Sequence, residues 1–251
     1  MTEKKQIDYK KLFQKAKPAV TMIENTFTEK KPIHVCHLLM NEYQRLLIIG
    51  SSGSGKTYSL KKYLPMLMVP DVLFIVGTTN TQPIYQKICD DYKEKYKTKI
   101  VLIDNVNEID KHINQKSLSK TLNNIVILDD LSTDEMKSSS VTNLFKSGRH
   151  LKLNVILINQ DYYEVPKIIR RNLTGLVLFP VSSGLDTIYK DVKGYFNSRE
   201  EFNEYINNTI RSGKIGDSLY ISLEPSVPST IRIRKNFTLV NVLPIQKIMK
   251  R

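Results

Sequence analysis

Four aliphatic residues in succession, Leu46-Leu47-Ile48-Ile49, end at Gly50, and a run of small residues, Ser51-Ser52-Gly53-Ser54-Gly55, leads into a helix-compatible segment at Lys56. A continuous apolar run of strand length is what a strand buried on both faces needs, and both faces are covered in a parallel sheet packed between helices. The same pattern recurs at 71–76, 100–103, 125–130, 154–158 and 176–179. Helical periodicity fills the gaps. One helix is expected from 56 to about 64, where Pro65 stops it. Another covers 81–97, with Ile84, Ile88 and Tyr92 on one face, and 106–122 reads as one helix or two. Ser132-Thr133-Asp134-Glu135 is a capping box for a helix running to about 146. Shorter helices are expected over 165–171, 184–195 and 200–208.

Beyond Arg211 the pattern changes to short alternating runs, 219–223 and 231–234, around a loop with Pro225 and Pro228. These read as a hairpin or an edge extension. The whole predicts an α/β protein with a mainly parallel central sheet flanked by helices, plus a small C-terminal β-hairpin-like extension. Three regions follow: a basic arm over 1–32, with a helix at 9–17, a core over 33–210, and a C-terminal extension with a basic tail over 211–251.

The first strand and its turn carry chemistry. Residues 50–57 satisfy G-x-x-x-x-G-K-[ST] at every defined position, which makes the protein a P-loop NTPase by motif. Gly50, Ser51, Ser52, Gly53, Ser54 and Gly55 let backbone N–H groups turn inward as an anion nest, and the helix dipole points at the same spot. Lys56 reaches the β- and γ-phosphates, the Thr57 hydroxyl is placed to ligand Mg²⁺, and Tyr58 completes the nucleotide-binding stretch. A second element matches it. The strand 125–130 ends in two acids, as a Walker B strand does, with Asp129 holding the Mg²⁺ shell and Asp130 placed to orient or deprotonate the attacking water. The expected cofactors are ATP and Mg²⁺.

At 251 residues the chain can build a full core. No apolar run approaches the ~20 residues of a membrane span, and the N-terminus lacks the apolar region of a secretory signal. Two cysteines, Cys36 and Cys89, make no disulfide framework, which points to a reducing compartment. The net charge of +13 exceeds what a nucleotide site needs and favours nucleic acid as a partner over a merely Lys- and Asn-rich composition. Residues 231–251 hold six basic side chains and no acid. Arg232, Arg234 and Lys235 are therefore candidate phosphate contacts, with an edge strand bearing outward arginines as the alternative.

These motifs, taken in order, resemble the FtsK–HerA superfamily and within it the genome-packaging ATPases of poxviruses, other large DNA viruses, virophages and related elements. The features are the loop 50–57, the strand 125–130, Ser147-Gly148-Arg149-His150, the strand 154–158 closing on Asn159-Gln160, and the segment 165–172. The similarity covers about residues 45–195, and Ser-Gly-Arg-His followed by a strand ending in Gln is its specific part. The resemblance implies that Gln160 is a polar sensor beside the γ-phosphate and that Arg149 is an arginine finger acting across a subunit boundary, with Arg170 and Arg171 as rivals. It implies an ATP-hydrolysing subunit of a homo-oligomeric ring that translocates double-stranded DNA into a preformed capsid. Capsid portal or vertex proteins would be its partners. The setting would be the host-cell cytoplasm or a viral factory, with virion association, and no secretion. Where relatives outside the viral branch carry Glu, this chain has Asp130, whose reach is shorter. A P-loop nucleotide or small-molecule kinase, and a nucleotide-binding scaffold with little turnover, stand as alternatives.

Overall fold

The computed structural model describes residues 43–67, 70–77, 82–114, 118, 124–211, 214–225, 227, 232–236 and 238–239. The arm over 1–32, with its expected helix, and the tail beyond 239 lie outside the described residues. Six apolar runs form parallel strands: β1 (Arg45–Ile49), β2 (Val72–Val76), β3 (Lys99–Ile103), β4 (Asn124–Asp129), β5 (Leu153–Asn159) and β6 (Gly175–Leu178). Three short antiparallel strands follow, β7 (Leu219–Ser222), β8 (Ile233–Lys235) and β9 (Thr238–Leu239). All nine belong to one sheet in the order β3-β2-β4-β5-β1-β6-β7-β8-β9. The C-terminal strands thus continue the central sheet, with β7 paired to β6.

Every residue of β2, β4 and β5 is buried. Period-2 alternation sends their side chains to two separate cores. On one face Ile48, Leu73, Ile75, Ile125, Ile127 and Ile156 pack with two helices, α1 (Lys56–Leu67) and α2 (Pro83–Tyr96), through Leu60, Leu64, Tyr85, Ile88 and Tyr92. On the other, Leu47, Phe74, Val126, Leu128, Val155 and Leu157 meet helices from later in the chain. In order these are α3 (Ile109–His112), α4 (Thr133–Lys137), α5 (Ser139–Ser147), α6 (Lys167–Arg170), α7 (Leu185–Val192) and α8 (Arg199–Ile206).

Three local expectations need correction. Helix α1 runs on past position 65 to Leu67. Proline removes one N–H and strains the turn before it, but packing of Leu60 and Leu64 outweighs that local cost. The helix expected from Ser132 to about 146 is two helices. The capping box at Ser132 forms as expected, but Ser138 adopts ψ 150°, ends α4 and caps α5 through its own side chain.

The third correction concerns the arginines near the C-terminus. Strand β8 lies between β7 and β9, so it is not an edge strand. Arg232 is 8% exposed and Arg234 1%. Arg232 donates to the carbonyls of Ser222 (3.1 Å), Glu224 (3.0 Å) and Val227 (2.5 Å) and lies over the Tyr195 ring. Arg234 lies over Tyr220, and Lys235 pairs with Asp217 at 3.0 Å. Arg232 thus holds the chain reversal between β7 and β8, Arg234 is buried over its neighbour in β7, and Lys235 is tied to the turn before β7, so the two arginines do not offer themselves to phosphates.

Candidate active site

The C-terminal ends of β1, β5 and β4 lie side by side, because β5 pairs with both of the others. At a strand spacing of about 4.8 Å, the ends of β1 and β4 stand ~10 Å apart, with the end of β5 between them. Each strand end delivers one functional segment: the loop 50–57 from β1, Asp129-Asp130 from β4, and Asn159-Gln160 from β5. Between them opens a cleft of about 700 Å³ whose wall includes Ser51, Ser52, Asp130, Glu135, Gln160 and Glu164.

The loop has the shape its glycines predict. Gly55 adopts φ 96°, and helix α1 starts at the next residue. Lys56 Nζ donates to the carbonyls of Gly50 (2.6 Å) and Ser51 (2.9 Å), so the ammonium is folded back over the nest where phosphate oxygens would bind. Burial lowers its pKa, and the nearby charges of Asp129 and Asp130 oppose that shift.

Asp129 is held from two sides. A Cβ on Gly77 would lie 2.3 Å from the Asp129 carbonyl oxygen, so only glycine lets the end of β2 pass there. The Tyr85 hydroxyl, from α2, donates to Asp129 Oδ2 at 2.5 Å, and both side chains are buried. Burial pushes the Asp129 carboxyl up to about 6; the Tyr85 bond lowers it, the Asp130 charge raises it and the Lys56 charge lowers it. Burial, and after it the charge and bond of Asp129, raise the Tyr85 phenol far beyond its ordinary range, so it stays a donor. Asp130 has φ 57°, a left-handed conformation that Asp tolerates better than most residues. That turn leaves Asp130 exposed on the cleft wall while Asp129 stays buried.

Among the described residues no three His, Cys, Asp or Glu side chains converge as a ready-made metal cage. The donors present are the Thr57 hydroxyl and the Asp129 carboxylate. Such a sparse, all-oxygen set fits Mg²⁺, which keeps most of its waters and shares substrate phosphate oxygens.

Asn159 Oδ1 accepts from the backbone N–H groups of Gln160 (2.5 Å) and Asp161 (3.2 Å). This Asx turn presents Gln160 to the cleft. Arg149 is not brought to this site. It is exposed in the turn between α5 and β5, at the start of a seven-residue strand whose far end carries Gln160, ~20 Å away. Its charge is felt instead by Arg45 at the start of β1, where burial lowers the pKa, Glu224 raises it and Arg149 lowers it. Of the rival arginines, Arg170 is committed within the fold. It pairs with Asp191, donates to the Val165 carbonyl and lies over the Tyr162 ring. Arg171 is exposed.

Sequence reasoning assigned no role to Tyr85 or to Asn159. For Asn159 a signal was present, since Asn before a polar pair at a strand end is an Asx-turn pattern. For Tyr85 there was none, because a tyrosine beside an apolar stripe reads as core.

A family model described as Poxvirus A32 protein matches residues 34–207. Protein 075L of Invertebrate iridescent virus 6 is 29% identical over 175 residues, covering 64% of this chain and 65% of that protein, just under two thirds of its length. DNA packaging protein OPG160 of Monkeypox virus is 26% identical over 220 residues, covering 83% of this chain and 70% of that protein. Among solved structures, the genome packaging NTPase B204 from Sulfolobus turreted icosahedral virus 2, in complex with AMP, aligns with a TM-score of 0.54 at 19% identity. The alignment covers 78% of this chain and 98% of that one, and it establishes a shared fold.

Proposed function

The chain belongs to the Poxvirus A32 protein family, and on that premise we propose that it is an ATP-hydrolysing motor subunit that drives double-stranded DNA into a preformed viral capsid. The observation that carries the catalytic part is the meeting of the loop 50–57, Asp129, Asp130 and Gln160 at the ends of three adjacent strands. The packaging part rests on the family, whose relatives include proteins named for DNA packaging, and on the charge of +13.

In this reading the backbone nest and Lys56 hold the β- and γ-phosphates, and Lys56 exchanges its two carbonyl partners for phosphate oxygens when ATP enters. Thr57 and Asp129 would hold Mg²⁺, which supplies charge neutralisation on the phosphates. Asp130, at the cleft wall, takes the proton of a water aligned with the γ-phosphorus, and Gln160 orients that water. Hydrolysis at this site would drive displacement of DNA-contacting loops.

Arg149 contributes to a neighbouring subunit. The cleft is acidic, with Asp130, Glu135, Asp161 and Glu164 on its wall. The opposite end of the sheet exposes Arg149, His150 and Lys152. Unlike charge at opposite ends favours head-to-tail contact between copies, a heterologous arrangement that forms a ring when the rotation between copies closes. Among the described residues no helix is long and apolar enough to cross a membrane. We place the protein in the host-cell cytoplasm or viral factory, where it docks on a capsid portal or vertex.

The catalytic assignment is tested by turnover in Mg²⁺. Asp130→Asn should bind ATP and trap it unhydrolysed, and Lys56→Ala should fold but not turn over. Wild-type turnover in folded Lys56→Ala would remove this loop from the active site.

A further inference from the structure

The nucleotide site described so far accounts for phosphates and leaves the base without a seat. Two of the large apolar side chains exposed on the described surface flank the same loop: Tyr58 is 65% exposed and Ile215 is 87% exposed. Tyr58 follows Gly55 by three residues and lies in the first turn of α1. Ile215 comes from the turn 214–217, far along the chain, which is packed against that spot. A Cβ on Gly55 would lie 3.0 Å from the Gly216 Cα and 3.9 Å from Ile215 Cγ2. The two backbones touch because both positions are glycine, and both have positive φ.

The turn is also fixed. Gly216 N–H donates to the Ser54 carbonyl (3.2 Å), and the Ser59 hydroxyl donates to the Gly216 carbonyl (3.4 Å). Asp217 accepts from the Lys214 N–H (3.0 Å) and from Asn236 Nδ2 (2.7 Å), and pairs with Lys235 (3.0 Å). A turn tied to the phosphate loop at one end and to β8 at the other holds an isoleucine almost wholly in water. Tyr58, in the first turn of α1 three residues beyond Gly55, is exposed as well. Neither residue faces the acidic cleft, whose wall includes neither.

We propose that Tyr58 and Ile215 form the seat for the purine base of the bound nucleotide, the Tyr58 ring offering a stacking face and Ile215 closing the other side. This rests on the reading that the loop 50–57 holds a nucleoside triphosphate, and it assigns the C-terminal extension a part in that site. The contact is made by apolar area, so it favours the larger purine rings over pyrimidines and discriminates only modestly between adenine and guanine.

The test is calorimetric binding of ATP and of inorganic tripolyphosphate to the full chain in Mg²⁺ buffer. Stacking of one base on one aromatic ring predicts that Tyr58→Ala raises the Kd for ATP roughly 5- to 150-fold. Ile215→Ala should raise it several-fold, Tyr58→Phe should keep wild-type affinity, and tripolyphosphate should bind all four proteins alike. Unchanged ATP affinity in both alanine variants would overturn the proposal. So would equal loss of ATP and tripolyphosphate, which would mean the residues merely support the loop. Altered assembly with intact ATP affinity would also overturn it and make Tyr58 and Ile215 subunit contacts. If the wild type binds neither ligand, the phosphate-loop reading itself fails, a result separable from all the others.

Discussion

The Asp129 carboxylate is placed where the fold would prefer it uncharged, so Asp129→Asn should stabilise the protein while disabling it. Burial lifts the carboxyl from its ordinary 3.8 to about 6, and at 1.36 kcal/mol per pH unit that difference is worth about 3 kcal/mol. The sign follows from proton binding. Between those two values the native state holds the proton more tightly than the unfolded chain does, so the stability contributed by Asp129 falls as pH rises through the window. Above about 6 the full cost is present, and below 3.8 it has gone. An asparagine at 129 carries no charge, and its amide oxygen can still accept from Tyr85. Urea unfolding of the nucleotide-free protein should therefore show Asp129→Asn about 3 kcal/mol more stable than wild type near pH 7.5, and level with it near pH 4. Adding Mg-ATP at about 100 times its Kd should raise wild-type stability by about 2.7 kcal/mol and leave the variant nearly unmoved. A variant less stable than wild type at neutral pH would refute the reasoning, as would a gain independent of pH.

Three further outcomes are expected. Tyr85→Phe removes a hydrogen bond to a charged acceptor, worth about 1.5–3 kcal/mol, so the acid limb of the pH–rate profile should move upward by about one to two pH units. Tyr92→Phe, on the same helix but with a buried hydroxyl that has no hydrogen-bond partner among the described residues, should leave the profile in place. Arg149→Ala should spare ATP binding and abolish hydrolysis, and mixed into wild-type subunits it should depress activity beyond its mole fraction; a strictly proportional loss would remove the finger assignment. Arg232→Ala strands backbone carbonyls that the guanidinium satisfied, and should cost about 2–4 kcal/mol in urea unfolding without changing the salt dependence of DNA binding. A weaker DNA affinity at unchanged stability would restore the phosphate-contact reading.

The P-loop and β4 were legible because each is local: an apolar run of fixed length followed by residues whose chemistry the motif dictates. The paired cores were legible for the same reason, since Leu46–Ile49 and the run 125–128 are wholly apolar. The misread arginines and the unassigned tyrosine concern partners set by distant chain. Arg232 and Arg234 alternate as outward residues of an edge strand would, yet β9 covers that edge and the reversal after Ser222 supplies carbonyls for Arg232. Residues 232–235 read as a surface of charge, where the fold uses them as ties. Tyr85 is one position from the stripe Ile84, Ile88 and Tyr92, and only the packing of α2 against β4 gives its hydroxyl a carboxylate. The break at Ser138 had a visible signal in Ser138-Ser139-Ser140, three residues that compete with helical backbone bonds. The order of Arg149, β5 and Gln160 along the chain already sets Arg149 at the strand end away from the cleft.

The central claim is that ATP turnover at this site moves duplex DNA. Displacement of a labelled third strand from a triplex, followed alongside phosphate release, measures both at once. Wild-type protein should displace the strand only with ATP and Mg²⁺, duplex DNA should raise its hydrolysis rate, and Lys56→Ala should do neither. Hydrolysis indifferent to duplex DNA with the third strand left in place, or transfer of the γ-phosphate to a nucleoside instead of water, would contradict the account.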